Sequence, residues 1–127
     1  MVTEAAKAFV RQRAGLRCEY CGLHQDDSPL AALHIEHIRP RKHGGTDDPD
    51  NLSLACIDCN LHKGPNLTGI DPSTGAVTEL FHPRQQNWND HFAWKGIHLI
   101  GKTAVGRTTI QVLNMNSPDQ LDLRAAE

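Results

Sequence analysis

Apolar and polar positions alternate along this chain in short segments whose periods name the elements. Residues 3–14 are rich in helix formers, with Ala6, Phe9, Val10 and Arg13 on one face and Gly15 placed as the stop. A polar loop over 24–29 follows the first cysteine pair. His34-Ile35-Glu36-His37-Ile38 then alternates as a short strand, and Arg39-Pro40 ends it because proline cannot donate to a ladder. Gly44-Gly45 and Asp47-Asp48-Pro49-Asp50 are turn chemistry. Leu52-Ser53-Leu54-Ala55 is long enough for a second strand, and residues 56–63 open a helix that Gly64-Pro65 stops. The order is strand, loop, strand, helix.

The remainder reads as a smaller appended layer. Residues 71–75 form a turn, 76–81 a strand, 88–94 a helix with Trp88 and Phe92 toward the core, and 96–101 a strand bounded by glycines. Thr103 caps a helix running to Leu113, and Ser117-Pro118 begins a last one. The pattern predicts an α+β fold in one domain over 1–127, with a core at about 16–66 and an extension at about 67–127.

Composition narrows this picture. Aromatics make up 5% of the chain, so the core is small and a structural metal would help it. The cysteines stand in two Cys-x-x-Cys pairs, Cys18/Cys21 and Cys56/Cys59, a spacing open to disulfides, an iron–sulfur cluster or zinc. Residues 1–7 lack a signal peptide's apolar stretch and no run approaches membrane-spanning length, so a cytoplasmic protein is expected. A reducing compartment disfavours disulfides, and two knuckles brought together supply zinc's tetrahedral thiolates. Zinc is the favoured reading, as a structural ion. His24 is a possible extra ligand, but four thiolates make it superfluous.

The formal net charge of −2 argues against nucleic-acid binding by bulk electrostatics. Positive residues are clustered, however: Arg11, Arg13 and Arg17 before the first knuckle, and Arg39, Arg41, Lys42 and His43 after the first strand. A local basic face is compatible with that charge. His34-Ile35-Glu36-His37 has the wrong order and spacing for a zinc-protease helix, and its alternation is that of a strand.

Taken together, Cys18-x-x-Cys21, Glu36-His37-Ile38-x-Pro40, Gly44-Gly45, Asn51-Leu52 and Cys56-x-x-Cys59-Asn60-x-x-Lys63 resemble the HNH endonucleases with a ββα-metal (His-finger) core. The motifs occur in fixed order, which makes the resemblance specific. Residues 63–72 and 80–83 are also similar to a bacterial group of stand-alone HNH proteins. The resemblance implies a metal-dependent endonuclease acting on DNA. His37 suits the general base, and Glu36 and Asn60 supply oxygen ligands suited to Mg²⁺ or Mn²⁺. Many members of that family carry Asp and His at those two positions, so by this resemblance the chain is expected to be an HNN-type variant with a harder ligand set.

By the same resemblance Asn51 ties the long loop and orients His37. Arg39, Arg41, Lys42 and Lys63 are expected to hold phosphates, with weak sequence preference. His34 is expected to support the site and His62 to be exposed. Glu36 and His37 are neighbours on a strand and face opposite ways, so they serve one centre only if the strand bends there. The alternative is a non-catalytic, zinc-stabilised nucleic-acid-binding module.

Overall fold

The computed structural model describes residues 1–28 and 32–126. Helix α1 (Glu4–Arg13) starts where the Thr3 hydroxyl accepts from the Ala6 N–H, and ends as the chain turns left-handed at Gly15 and Leu16. Val10 is buried from its inner face, while Phe9 stays half-exposed beneath the Arg13 guanidinium. The arginines of this region bind backbone. Arg11 donates to the Leu33 carbonyl, Arg13 to those of Pro49 and Leu52, and Arg17 to that of Gly22. They tie α1 and the first knuckle to their neighbours. The polar loop expected over 24–29 is seen as far as Ser28, and Pro29 lies outside the described residues.

Strands β1 (His34–His37) and β2 (Leu52–Ala55) pair antiparallel, from His34 opposite Ala55 to His37 opposite Leu52. The Ile38 N–H extends the ladder to the Asn51 carbonyl. Helix α2 (Ile57–Lys63) follows directly, with the Cys56 sulfur accepting the Cys59 N–H at its start and Gly64 at its end. This strand–loop–strand–helix order agrees with the periodicity.

The extension adds β3 (Thr68–Ile70) paired with β4 (Val77–Glu79), α3 (Trp88–His91), β5 (Phe92–Lys95) paired with β6 (His98–Gly101), α4 (Ala104–Val112) and α5 (Pro118–Ala125). The helix expected over 88–94 is corrected: only its first turn is helical. Trp88 and Phe92 stand four apart as on a helix, but Phe92 and Trp94 also alternate, and Gly96 (φ 61°) turns the chain so that Lys95 pairs with His98. The hairpin prevails. Thr103 and Ser117 cap α4 and α5 as their sequence context suggests. At the close contact between these elements, a Cβ on Gly106 would lie 2.0 Å from the His91 carbonyl oxygen.

One cluster of buried side chains runs through both parts. Val10, Tyr20, Leu52 and Leu54 from the first are continuous with Phe81, Phe92, Leu99, Leu113 and Met115 from the second. Phe81 meets the edges of Tyr20 and Phe92, and the Trp88 indole donates to the Tyr20 carbonyl. The extension is therefore packed beneath the hairpin and fixes it. No helix among the described residues is long and apolar enough to cross a membrane.

Candidate active site and metal centre

The two knuckles converge. The sulfurs of Cys18, Cys21, Cys56 and Cys59 all lie within 4.8 Å of one another and all four residues are buried, an arrangement positioned to hold a metal ion. Gly22 (φ 82°) closes the first knuckle, and its N–H bonds back to the Cys18 carbonyl. The N–H groups of Cys21 and Cys59 point at Cys18 Sγ and Cys56 Sγ, each at 3.4 Å. Hydrogen bonding from Cys18, then Cys21 and Cys59, holds the Cys56 thiol far below its ordinary range. Cys21 and Cys59 are raised, first by Cys18. A divalent cation would supply the charge that makes the buried thiols ionise. Four thiolates at this spacing suit a soft, tetrahedral ion. His24 is not part of this set; its Nδ1 accepts the Asp26 N–H and caps a short turn.

Sequence reasoning missed Gln120. It is 1% exposed and reaches from α5 to Cys56 Sγ (3.6 Å) and Asp58 Oδ2 (3.3 Å). No local pattern marks a glutamine sixty-odd residues away as a partner of a knuckle.

The residues expected around the reaction do not form one network. Glu36 is buried under α2. Its Oε1 accepts from the Tyr20 and Ser53 hydroxyls, and Lys63 Nζ lies 3.1 Å from Oε2. Burial first, then the neighbouring Glu36 charge, pushes the Tyr20 phenol up, so it stays a protonated donor. Lys63 is 2% exposed and also donates to the Ile38 (2.9 Å) and His37 (3.3 Å) carbonyls. The placement of Lys63 at a phosphate is therefore corrected: its ammonium points inward. It sits one helical turn after Asn60, on the face of α2 that covers β1.

Asn60 reaches His34, not Glu36, with its Nδ2 3.0 Å from His34 Nδ1. Because β1 stays regularly paired through His37, the bend that would join Glu36 to His37 is absent. As folded, Glu36 and Asn60 do not offer a shared cation site, since the carboxylate is already held by two hydroxyls and an ammonium. The donor set expected for a catalytic Mg²⁺ or Mn²⁺ does not fit in this arrangement.

His37 lies on the other face, 21% exposed. Its Nε2 is 2.7 Å from Asp47 Oδ1. Arg41 Nε also comes within 3.5 Å of that nitrogen, but two N–H groups cannot bond each other; the shorter carboxylate contact decides, so Nε2 carries the hydrogen. Asp47 further takes Arg41 Nη2 at 2.7 Å and the Met1 ammonium at 2.8 Å. The Met1 ammonium first, then His37, holds the Asp47 carboxyl well below the usual carboxylate range. The sequence offered Asp47 only as a turn acid, ten residues from its partner.

Asn51 does tie the loop. Its Oδ1 accepts the Arg39 N–H and its Nδ2 donates to the carbonyls of Arg39 and Thr46. It touches His37 nowhere directly; its contacts are with the backbone of Arg39, two residues on, and of Thr46. Gly45 seals the same loop, for a Cβ there would sit 1.7 Å from the Arg39 carbonyl oxygen. Arg39, Arg41 and Lys42 are exposed around the turn. His62 is exposed too, its Nδ1 2.8 Å from the Asp58 carbonyl. A cavity of about 660 Å³ opens between this loop and the extension, lined in part by Arg39, Asn51, Lys63 and His82. His37 and Asn60 lie outside it.

A knuckle-stapled hairpin followed by a helix, with a histidine at the hairpin's end, defines the class. Residues 18–66 match the family described as HNH endonuclease, and this segment is an HNH domain. No curated protein matches the chain. An HNH domain suggests a nuclease or nucleic-acid-binding function for this segment.

Proposed function

We propose that the protein is an endonuclease that hydrolyses phosphodiester bonds in DNA, with His37 as the general base and zinc in the four-cysteine centre. The observation that carries the reading is the state of His37. Its Nε2–H is tied to Asp47, and its Nδ1 has no hydrogen-bond partner among the described residues. An imidazole in this tautomer can take a proton from water at Nδ1. The hydroxide oxygen then bonds to phosphorus, the P–O3′ bond breaks, and the departing oxygen is protonated by solvent. Asp47 offsets the charge that forms on the ring. Arg39, Arg41 and Lys42 are exposed on the turn that follows β1 and suit the phosphate backbone.

A second reading has its own support. Glu36 is covered by Lys63, Tyr20 and Ser53, and Asn60 is turned to His34, as expected of a nucleic-acid-binding module without hydrolysis. Supercoiled-plasmid cleavage separates the two. Zinc-loaded protein is compared with His37→Ala, each with EDTA, Mg²⁺ or Mn²⁺, because the HNH resemblance implies a divalent ion that Glu36 and Asn60 do not jointly hold here. Nicking by the wild type alone supports the nuclease. Binding without nicking in every arm, with zinc content and fold intact, moves the reading to the binding module.

A further inference from the structure

We infer that Asp47 is the positioning residue of His37: its carboxylate fixes the Nε2–H tautomer and ring orientation and so leaves Nδ1 as the nitrogen that meets water. This rests on the reading of His37 as the base. Three observations support it. The Nε2···Oδ1 distance is 2.7 Å, a short charge-assisted contact. The carboxylate is itself engaged by Arg41, whose Nη2 lies 2.7 Å from Oδ1. The loop that carries it is clamped on both sides, since Asn51 bonds to the carbonyls of Arg39 and Thr46 and Gly45 lies against the Arg39 carbonyl. Asn51 thereby acts on His37 at one remove, through Asp47's loop.

A neutral histidine in water exchanges between its two tautomers, and the group bonded to one nitrogen decides which the protein keeps. Asp47 accepts only, so it selects hydrogen on Nε2. Without it, the ring is free to place hydrogen on Nδ1 and to rotate, and either change removes the base from its position.

The test uses the full zinc-loaded chain, ¹⁵N-labelled, with long-range ¹H–¹⁵N correlation of the His37 ring at neutral pH; the signal is assigned by its disappearance in His37→Ala. The wild type is expected to show one tautomer with hydrogen on Nε2. Asp47→Ala should show a mixture, and Asp47→Asn, whose amide oxygen still accepts, should keep the wild-type tautomer. In plasmid nicking, Asp47→Ala is expected to lower kcat by about 10- to 100-fold, by analogy with the outer partners of metal-ligating histidines, with KM nearly unchanged. Asp47→Asn should recover part of that activity. A wild-type ring with hydrogen on Nδ1, or a ring spectrum unmoved by Asp47→Ala, overturns the inference about Asp47 and leaves His37 as base untouched. Undiminished nicking by His37→Ala overturns the base reading, and with it the catalytic meaning of Asp47, whatever the spectrum shows.

Discussion

Lys63 Nζ lies 3.1 Å from Glu36 Oε2, and neither side chain is more than 5% exposed. A buried pair of this kind is costly to break from one side, because the remaining charge stays buried without its partner. Lys63→Ala is accordingly expected to destabilise the protein by about 3–5 kcal/mol, measured by urea unfolding at neutral pH. The double change Glu36→Gln with Lys63→Met should cost less than the single one. A Lys63→Ala protein of wild-type stability but weaker DNA binding would return Lys63 to the phosphate-binding role first expected of it.

The loop carrying Asp47 depends on a glycine. A Cβ at Gly45 would stand 1.7 Å from the Arg39 carbonyl oxygen, a distance that forces backbone movement. Gly45→Ala should therefore open the clamp at Asn51 and cost about 1–3 kcal/mol, as overpacking does. Its sharper signature is hydrogen exchange: the Arg39 N–H, held by Asn51 Oδ1, should lose protection while the Cys59 N–H in the metal centre keeps it. Uniform loss of protection would mean global destabilisation instead.

Nucleic-acid affinity should fall with salt in a way that ranks the surface cations. For every phosphate a cation neutralises on duplex DNA, log K falls against log salt with an added slope of about 0.9. Lys42→Ala and Arg39→Ala are each expected to flatten the dependence by about that amount. Arg41→Ala should flatten it less, because Asp47 already neutralises its guanidinium at 2.7 Å. Equal slopes for wild type and all three variants would place the binding face elsewhere.

Acid sensitivity should trace to the extension. Asp71 is fully buried, and its carboxylate takes Arg107 through both oxygens at 3.0 and 2.8 Å, with the Ser73 N–H and Thr74 hydroxyl adding to them. Arg107 first, then the Ser73 N–H, holds the carboxyl well below the usual range. Its folded pKa is below its unfolded one of about 3.9, so its contribution is complete above that value and is lost as pH falls through the folded pKa. The gap in Tm between wild type and Asp71→Asn is thus expected to be widest near neutrality and to narrow below about pH 4. A gap that stays constant into strong acid would disconnect Asp71 from acid unfolding.

How much of this was legible in the sequence depends on the distance over which each feature is specified. The hairpin, α2 and both knuckles follow from local signals, namely alternation at 34–38, Pro40, and glycine after the first cysteine pair and at the end of α2. Thr103 and Ser117 announced their helices in the same way. The helix expected over 88–94 failed because a four-residue spacing and a two-residue spacing share Phe92, and the turn at Gly96 decided between them. At the site, residue types were legible and directions were not. Glu36 and His37 are adjacent, so whether they converge depends on a bend no composition reports, and the regular ladder sends them apart. Lys63 faces inward because a carboxylate sits beneath it. Asp47 looked like one of several turn acids until the loop folded back onto His37.

The metal centre gives the last prediction, because it is where the extension touches the HNH domain's staple. Gln120 Nε2 lies 3.6 Å from Cys56 Sγ and 3.3 Å from Asp58 Oδ2, joining α5 to the second knuckle. Hydrogen bonds to a ligating sulfur stabilise its charge and hold its direction, and removing such a partner costs about 10- to 100-fold in metal affinity. Gln120→Leu fills similar space without the donor, so competition with a zinc-binding chelator should show affinity reduced within that range. Complete chelation should unfold the region around Cys18 to Cys59, where binding and folding are one equilibrium. If Gln120→Leu binds zinc as tightly as wild type while α5 detaches, its role is to dock the helix, and the sulfur contact is incidental.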